Sequence, residues 1–179
     1  MKTITQIIKR HFPRSKEIPG HTITIDDRVR KMCEQNTCGH YNRNWVCPPA
    51  VESLDSIRVR LNKYNTYVIV YDVYDVKNSF DYKGMLSGMV DFRNRLIRLR
   101  KDFPKGMSYF ILGAGYCPLC KECSYIAGEE CKRPDDAFVS MEASGIDVVR
   151  LMKENDLKYH HGVNTVTYIG AVIYDAQSG

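Results

Sequence analysis

The sequence predicts an α/β fold: a small sheet of three to four strands covered by helices, with two cysteine-rich metal-binding loops. Three observations point to it. Thr66–Val76 and Thr165–Tyr174 are dense in β-branched and aromatic residues, as strands are. Apolar residues recur at helical spacing in the stretches around them. The seven cysteines fall in two segments that carry neither period.

Each element has a local reason. Residues 1–12 place Ile4, Ile7, Ile8 and Phe12 at helical spacing, and Pro13 then breaks the chain, as does Pro19–Gly20. Thr22–Ile25 alternates like a brief strand. Asp26 and Asp27 suit the start of a helical turn that runs through Val29 and Met32 into Cys33. Cys33–Pro49, rich in Asn, Gly and Pro, reads as a loop. Ser53–Leu61 reads as a helix with Leu54, Ile57 and Leu61 on one side, and Thr66–Val76 as the clearest strand.

Gly84–Phe103 forms the longest helix candidate. Leu86, Met89, Val90, Leu96, Ile97 and Phe103 make its apolar face, and Arg93, Arg95, Arg98, Arg100 and Lys101 are assigned largely to the other faces. Pro104 ends it. Met107–Leu112 is a strand that runs into Gly113, Gly115 and Cys117. A second cysteine loop spans Cys117–Pro134, Ile146–Asn155 reads as a helix and Thr165–Tyr174 as the last strand.

Length and composition bound the function. The 179 residues, 44% hydrophobic and 26% charged, suit a single domain over 1–179. No run approaches the roughly 18 apolar residues of a membrane helix. The first apolar stretch stops at Ile8 with no small-residue cleavage site after it, so a cytoplasmic location is expected. Cysteines clustered in a reducing compartment bind metal or do redox chemistry more often than they form disulfides. The formal net charge of +5 counts every cysteine as neutral. Thiolates around two iron–sulfur cores would lower it to about +2, so part of the basicity reads as counter-charge. No phosphate-binding glycine loop, dinucleotide fingerprint or hydrolase triad pattern occurs.

The C-terminal cysteines follow Cys117-Pro-Leu-Cys120-Lys-Glu-Cys123, with Cys131 further on. Two-residue gaps let one tight loop set three sulfurs around a cluster face, as in ferredoxins, and the fourth arrives from downstream. A structural zinc site more often uses two separated pairs, so a [4Fe–4S] cluster is favoured over the zinc alternative. Gly113 and Gly115 are candidates to turn backbone N–H groups toward sulfur, and Pro118 and Pro134 to stiffen the loop. Lys121, Lys132 and Arg133 either balance the cluster's charge or are simply solvated.

Cys33, Cys38 and Cys47 form the N-terminal group in a loop with Gly39, Asn36, Asn42 and Asn44. Three thiolates would leave one iron open to water, substrate or a fourth ligand, for which His40, His160 and His161 are candidates. The alternative is that these are buried free thiols. Cys131 or Cys47 could also cross to the other group, as one cysteine does in two-cluster ferredoxins.

Taken together, Cys38–Pro49, the Cys117–Cys123 run, Cys131-Lys-Arg-Pro134 and Ser140-Met-Glu-Ala-Ser-Gly-Ile-Asp147 resemble a family of short, cysteine-rich, predicted metal-binding proteins frequent in anaerobic prokaryotes. The resemblance runs from about Cys33 to the last strand. It implies metal binding of an iron–sulfur kind, and no particular reaction. Within it, Glu142 and Asp147 are favoured as helix N-terminal charge, against facing a cluster or substrate. Arg43 and Trp45 suit either an anion or aromatic pocket or loop packing.

Three functions compete. One is electron transfer to a redox partner protein through one or two clusters. Another is an enzyme that binds a small-molecule substrate at the open iron of the three-cysteine site. The third, a zinc-stabilised module binding nucleic acid through Arg93–Lys101, is disfavoured because no stacking aromatics interleave those charges.

Overall fold

The computed structural model describes residues 3–176. Among the described residues five α-helices flank one four-stranded antiparallel sheet, which bears out the α/β class. In chain order the elements are α1 (Ile4–His11), β1 (Ser15–Ile18), α2 (Asp27–Glu34), α3 (Leu54–Leu61), β2 (Thr66–Asp75), α4 (Tyr82–Lys101), β3 (Tyr109–Leu112), α5 (Val148–Glu154) and β4 (Thr165–Tyr174). The first two residues of the helix expected over 1–12 lie outside the described residues. Each helix opens on an N-cap side chain that accepts a first-turn N–H: Thr3, Asp26, Ser53, Asp81 and Asp147.

The strand order is β1-β2-β4-β3, with neighbours antiparallel. β2 and β4 pair along their whole length, from Thr66 opposite Tyr174 to Asp75 opposite Thr165. Because side chains alternate along a strand, Val68, Val70, Val172 and Tyr174 face one core with α1 and α4. Ile69, Ile169, Ala171 and Ile173 face the other, with α3 and α5. Burial on both faces explains why these strands are continuously apolar.

The fourth strand lies elsewhere than the sequence suggested. Ser15–Ile18 pairs with β2 at the sheet edge, whereas Gly20–Thr22 is a 3-10 turn and Ile25 makes only an isolated bridge to Ile146. An edge strand needs one paired side and one apolar residue, here Ile18, so its sequence can be polar.

Helix α4 starts at Tyr82, and Phe92 and Leu99 join its buried stripe. Arg93, expected away from the apolar face, is 2% exposed. Its position four residues after Met89 and three before Leu96 puts it on that face, so the helical period itself carried the signal.

Candidate metal centre

Cys33 sits in the last turn of α2 rather than beyond it, followed by turns that carry Cys38 and Cys47. The asparagines make those turns. Asn36 and Asn42 take left-handed backbone (φ 55° each), and Asn36 Oδ1 accepts the Tyr41 N–H at 3.0 Å. Asn44 is buried, its side-chain oxygen accepting the Val46 N–H at 3.2 Å and its carbonyl the Cys47 N–H at 3.2 Å. The three thiols lie close enough to influence one another: Cys33 and Cys38 each make the Cys47 thiolate less favourable. Burial is the larger effect and pushes the Cys47 thiol up to about 12.

The C-terminal loop is delivered by β3. Gly113 leaves the sheet with its N–H already donated to the Val139 carbonyl at 2.8 Å, so that group does not point at sulfur as expected. Gly115 is the turning residue, at φ 61°, and a side chain there would lie 2.7 Å from Met89 Sδ. Further along, Ser124 Oγ donates to the Glu130 carbonyl at 2.7 Å, and Gly128, at φ 70°, curls the chain back toward Cys131.

Cys117, Cys120, Cys123 and Cys131 line one narrow crevice with a cavity volume of about 20 Å³, which Trp45 and Val46 of the other loop also line. Burial pushes the Cys117 thiol up, and Arg93 opposes it. All seven cysteines are free thiols. Among the described residues, no three His, Cys, Asp or Glu side chains converge closely enough to hold a single metal ion.

The two loops pack against each other. Trp45 Nε1 donates to the Glu129 carbonyl at 3.1 Å, and its ring meets Tyr125 edge-on at 5.0 Å. Tyr125 Oη donates to Asn42 Oδ1 at 2.7 Å, and His40 stacks on Tyr116 with ring centroids 3.5 Å apart. Between the loops lies an open pocket walled by His40, Arg43, Cys117, Cys120, Lys121 and Cys123. Burial, then the Arg43 charge, pushes His40 below its usual value, so its ring is neutral at pH 7. Arg43 and Trp45 therefore line different spaces, Arg43 the pocket between the loops and Trp45 the crevice of the C-terminal cysteines.

The other candidates divide. His160 meets Tyr159 edge-on, and His161 Nε2 is bonded to the Lys158 carbonyl at 2.8 Å; neither lines the two cysteine cavities. Asp147 caps α5. Glu142 precedes that helix in a turn held by the Ala143 N–H to Ser140 Oγ bond, and the Asp26 N–H to Gly145 carbonyl bond draws this turn toward α2. Burial pushes the Glu142 carboxyl up, and its charge disfavours the Cys33 thiolate nearby. Lys132 and Arg133 line the closed cavity and Lys121 the open pocket.

Sequence reasoning missed two residues that frame the cysteines. Arg93 donates to the carbonyls of Tyr116 and Phe138, each at 3.2 Å, and weakly to that of Asp136 at 3.4 Å. Asp136 in turn pairs with Arg100 at 3.0 Å and Arg133 at 2.9 Å. With Arg95 bonded to Asp72 and to the His11 carbonyl, three of the six basic residues of α4 are engaged within the fold.

Residues 16–174 match a family described as "Predicted metal-binding protein (DUF2284)". The chain belongs to this family. No curated protein and no solved structure matches it. For a member of a metal-binding family the donor set is apt, since thiolates are the ligands of soft metals. The half-buried Cys47 and Cys117 thiols fit as well, because a thiolate in such surroundings is stabilised by a neighbouring cation.

Asp136 ties the downstream end of the cysteine loop to α4, and Asp136→Asn should lower the stability of this family member by about 1–2 kcal/mol at pH 7. Burial pushes its carboxyl up, but the bonds from Arg133 and Arg100 outweigh this and leave it below its ordinary 3.8. The native state thus favours the carboxylate. The stability it contributes is fully present above pH 3.8 and is lost as pH falls through the lower folded value. Urea melts of both proteins at pH 7 and below pH 3.8 check this: the gap should close in acid.

Proposed function

We propose that this protein is a cytoplasmic iron–sulfur protein acting in electron transfer or cluster-dependent redox chemistry. Cys117, Cys120, Cys123 and Cys131 hold a [4Fe–4S] cluster, and Cys33, Cys38 and Cys47 supply a second, three-thiolate site. The observation that carries the reading is the single cavity lined by all four C-terminal thiols. Their tight triplet followed by a distant fourth is the arrangement that suits a cluster better than a zinc ion. A redox partner protein is the natural counterpart.

An enzyme reading has its own support in the open pocket between the loops. His40 and Arg43 of the N-terminal loop wall it opposite Cys117, Cys120 and Cys123, so a small molecule entering it would come up against the loop whose three-cysteine site supplies the open iron in this reading.

Purification without oxygen, followed by iron, acid-labile sulfide and zinc analysis, tests the proposal. At least about four iron and four sulfide per chain are expected for one complete cluster; zinc without sulfide would end it. Trp45 is the sole tryptophan and lines the cavity, so its emission should rise several-fold when a chelator removes the metal. Unchanged emission would mean that the metal sits elsewhere.

A further inference from the structure

We infer that the open pocket between the two cysteine loops binds an organic acid, whose carboxylate is held by Arg43 of one loop and Lys121 of the other. The inference names the class of molecule for the enzyme reading of this pocket, and it rests on that reading for calling the molecule a substrate.

The pocket has the room. Its volume is about 560 Å³, within the roughly 300–1,000 Å³ of small-molecule sites. A bare inorganic oxyanion would leave most of that space to water. Its two walls are also fastened to each other. His40 of one loop stacks on Tyr116 of the other at 3.5 Å, and both rings line the pocket. The Tyr125 hydroxyl ties the loops a second time, through Asn42 at 2.7 Å. The site is thus formed before any ligand arrives, which spares the cost of ordering it.

The pocket also has the charge. Arg43 and Lys121 line it from opposite loops, and among the described residues neither has a carboxylate within ion-pairing distance. Arg133, in the same loop as Lys121, is by contrast paired with Asp136. Glu122 shares the wall without pairing with either cation, so two positive charges face one negative. A planar guanidinium fork matches a carboxylate with two parallel hydrogen bonds, and the lysine adds a point charge.

Apolar surface completes the match. Ile126 lines the same pocket and is left 54% exposed to water. With the His40–Tyr116 stack it offers a hydrocarbon or aromatic body something to cover. Cationic anchors beside an apolar wall select an acid with an organic body.

The test uses the full chain purified without oxygen, with benzoate and butyrate as probes, followed by ligand-observed magnetic resonance. Benzamide, the neutral counterpart of benzoate, and inorganic phosphate are the comparisons. Saturable binding of benzoate or butyrate is expected, with benzamide and phosphate at least about 10-fold weaker. Arg43→Gln and Lys121→Gln should each weaken the carboxylate by about 10- to 100-fold and leave the melting temperature unchanged, since both side chains are exposed. Lys105→Gln, an exposed lysine that does not line the pocket, should change nothing.

Absence of saturable carboxylate binding overturns the inference. So does benzamide binding as well as benzoate, which would make the pocket merely apolar, or phosphate binding as well, which would leave the organic body no role. Equal losses in Lys105→Gln and the two pocket variants would mean attraction to the basic chain as a whole. Failure of the enzyme reading looks different. If benzoate binds and needs Arg43 and Lys121 but leaves the electron paramagnetic resonance of the iron unchanged, the site stands and substrate approach to a cluster does not.

Discussion

Cys120→Ser is expected to strip one metal centre from the protein and to cost roughly 4 kcal/mol or more, about 10 °C in melting temperature for a chain of this size. Cys120 lines both the closed cavity and the open pocket, so it lies between the packed side of the loop and the side facing solvent. A serine hydroxyl is a hard, weakly acidic donor and does not replace a thiolate on a soft metal. The loss goes beyond one bond. Cys117–Cys131 contains little regular structure apart from the short turn Ser124–Ala127, so metal binding and the order of this segment are coupled. Iron and sulfide per chain, with a calorimetric melt, provide the check. Metal bound at the site proposed for Cys33, Cys38 and Cys47 should be retained. Full metal content in the variant would show the ligand set to be wrongly drawn.

The second large effect is expected at a residue that touches no cysteine. Gly170→Ala should lower stability by about 3 kcal/mol, because overpacking against backbone cannot be relieved by a rotamer change. A Cβ there would lie 2.5 Å from the Leu112 carbonyl oxygen and 3.5 Å from the Phe92 ring. Leu112 ends β3, pairing with Ala171 next to Gly170, and the chain leaves the sheet there for Gly113 and the C-terminal cysteines. Forcing β3 away from β4 therefore moves the whole loop, and metal bound at the site proposed for Cys117–Cys131 should fall together with stability. Gly106→Ala is the control. Gly106 has φ 79° but nothing near its would-be Cβ, so it should cost only the roughly 1–2 kcal/mol of left-handed backbone. Urea melts with metal analysis measure both. A Gly170→Ala protein as stable as the native one would refute the close approach of β3 to β4.

Much of the fold was legible because its signals are local. Thr165–Tyr174 and nearly all of Thr66–Val76 emerged as strands because both faces bury β-branched residues. The helix from Ser53 is fixed by a serine cap, with Ile57 and Leu61 as its buried residues. Ser15–Ile18 was missed because it buries one residue and takes its hydrogen bonds from β2, a partner about fifty residues away. Arg93 was misassigned for another reason: its charge outweighed its place in the helical period. Of the two carboxylates read as helix-terminal charge, Asp147 caps α5, whereas Glu142 lies in the turn that precedes the helix.

The sequence by itself determined the two cysteine groups, the capped helices and the two central strands, because backbone preference, side-chain period and cap chemistry act within a few residues. Only the tertiary structure decided that the cysteine loops lie against each other, that Trp45 lines the cavity of the opposite group, and that buried Arg93 holds the carbonyls of Tyr116 and Phe138 on either side of the C-terminal cysteines. Those contacts join residues tens of positions apart. They arise from closing the sheet in the order β1-β2-β4-β3 and burying its two faces, and no local pattern encodes which distant loops such closure brings together.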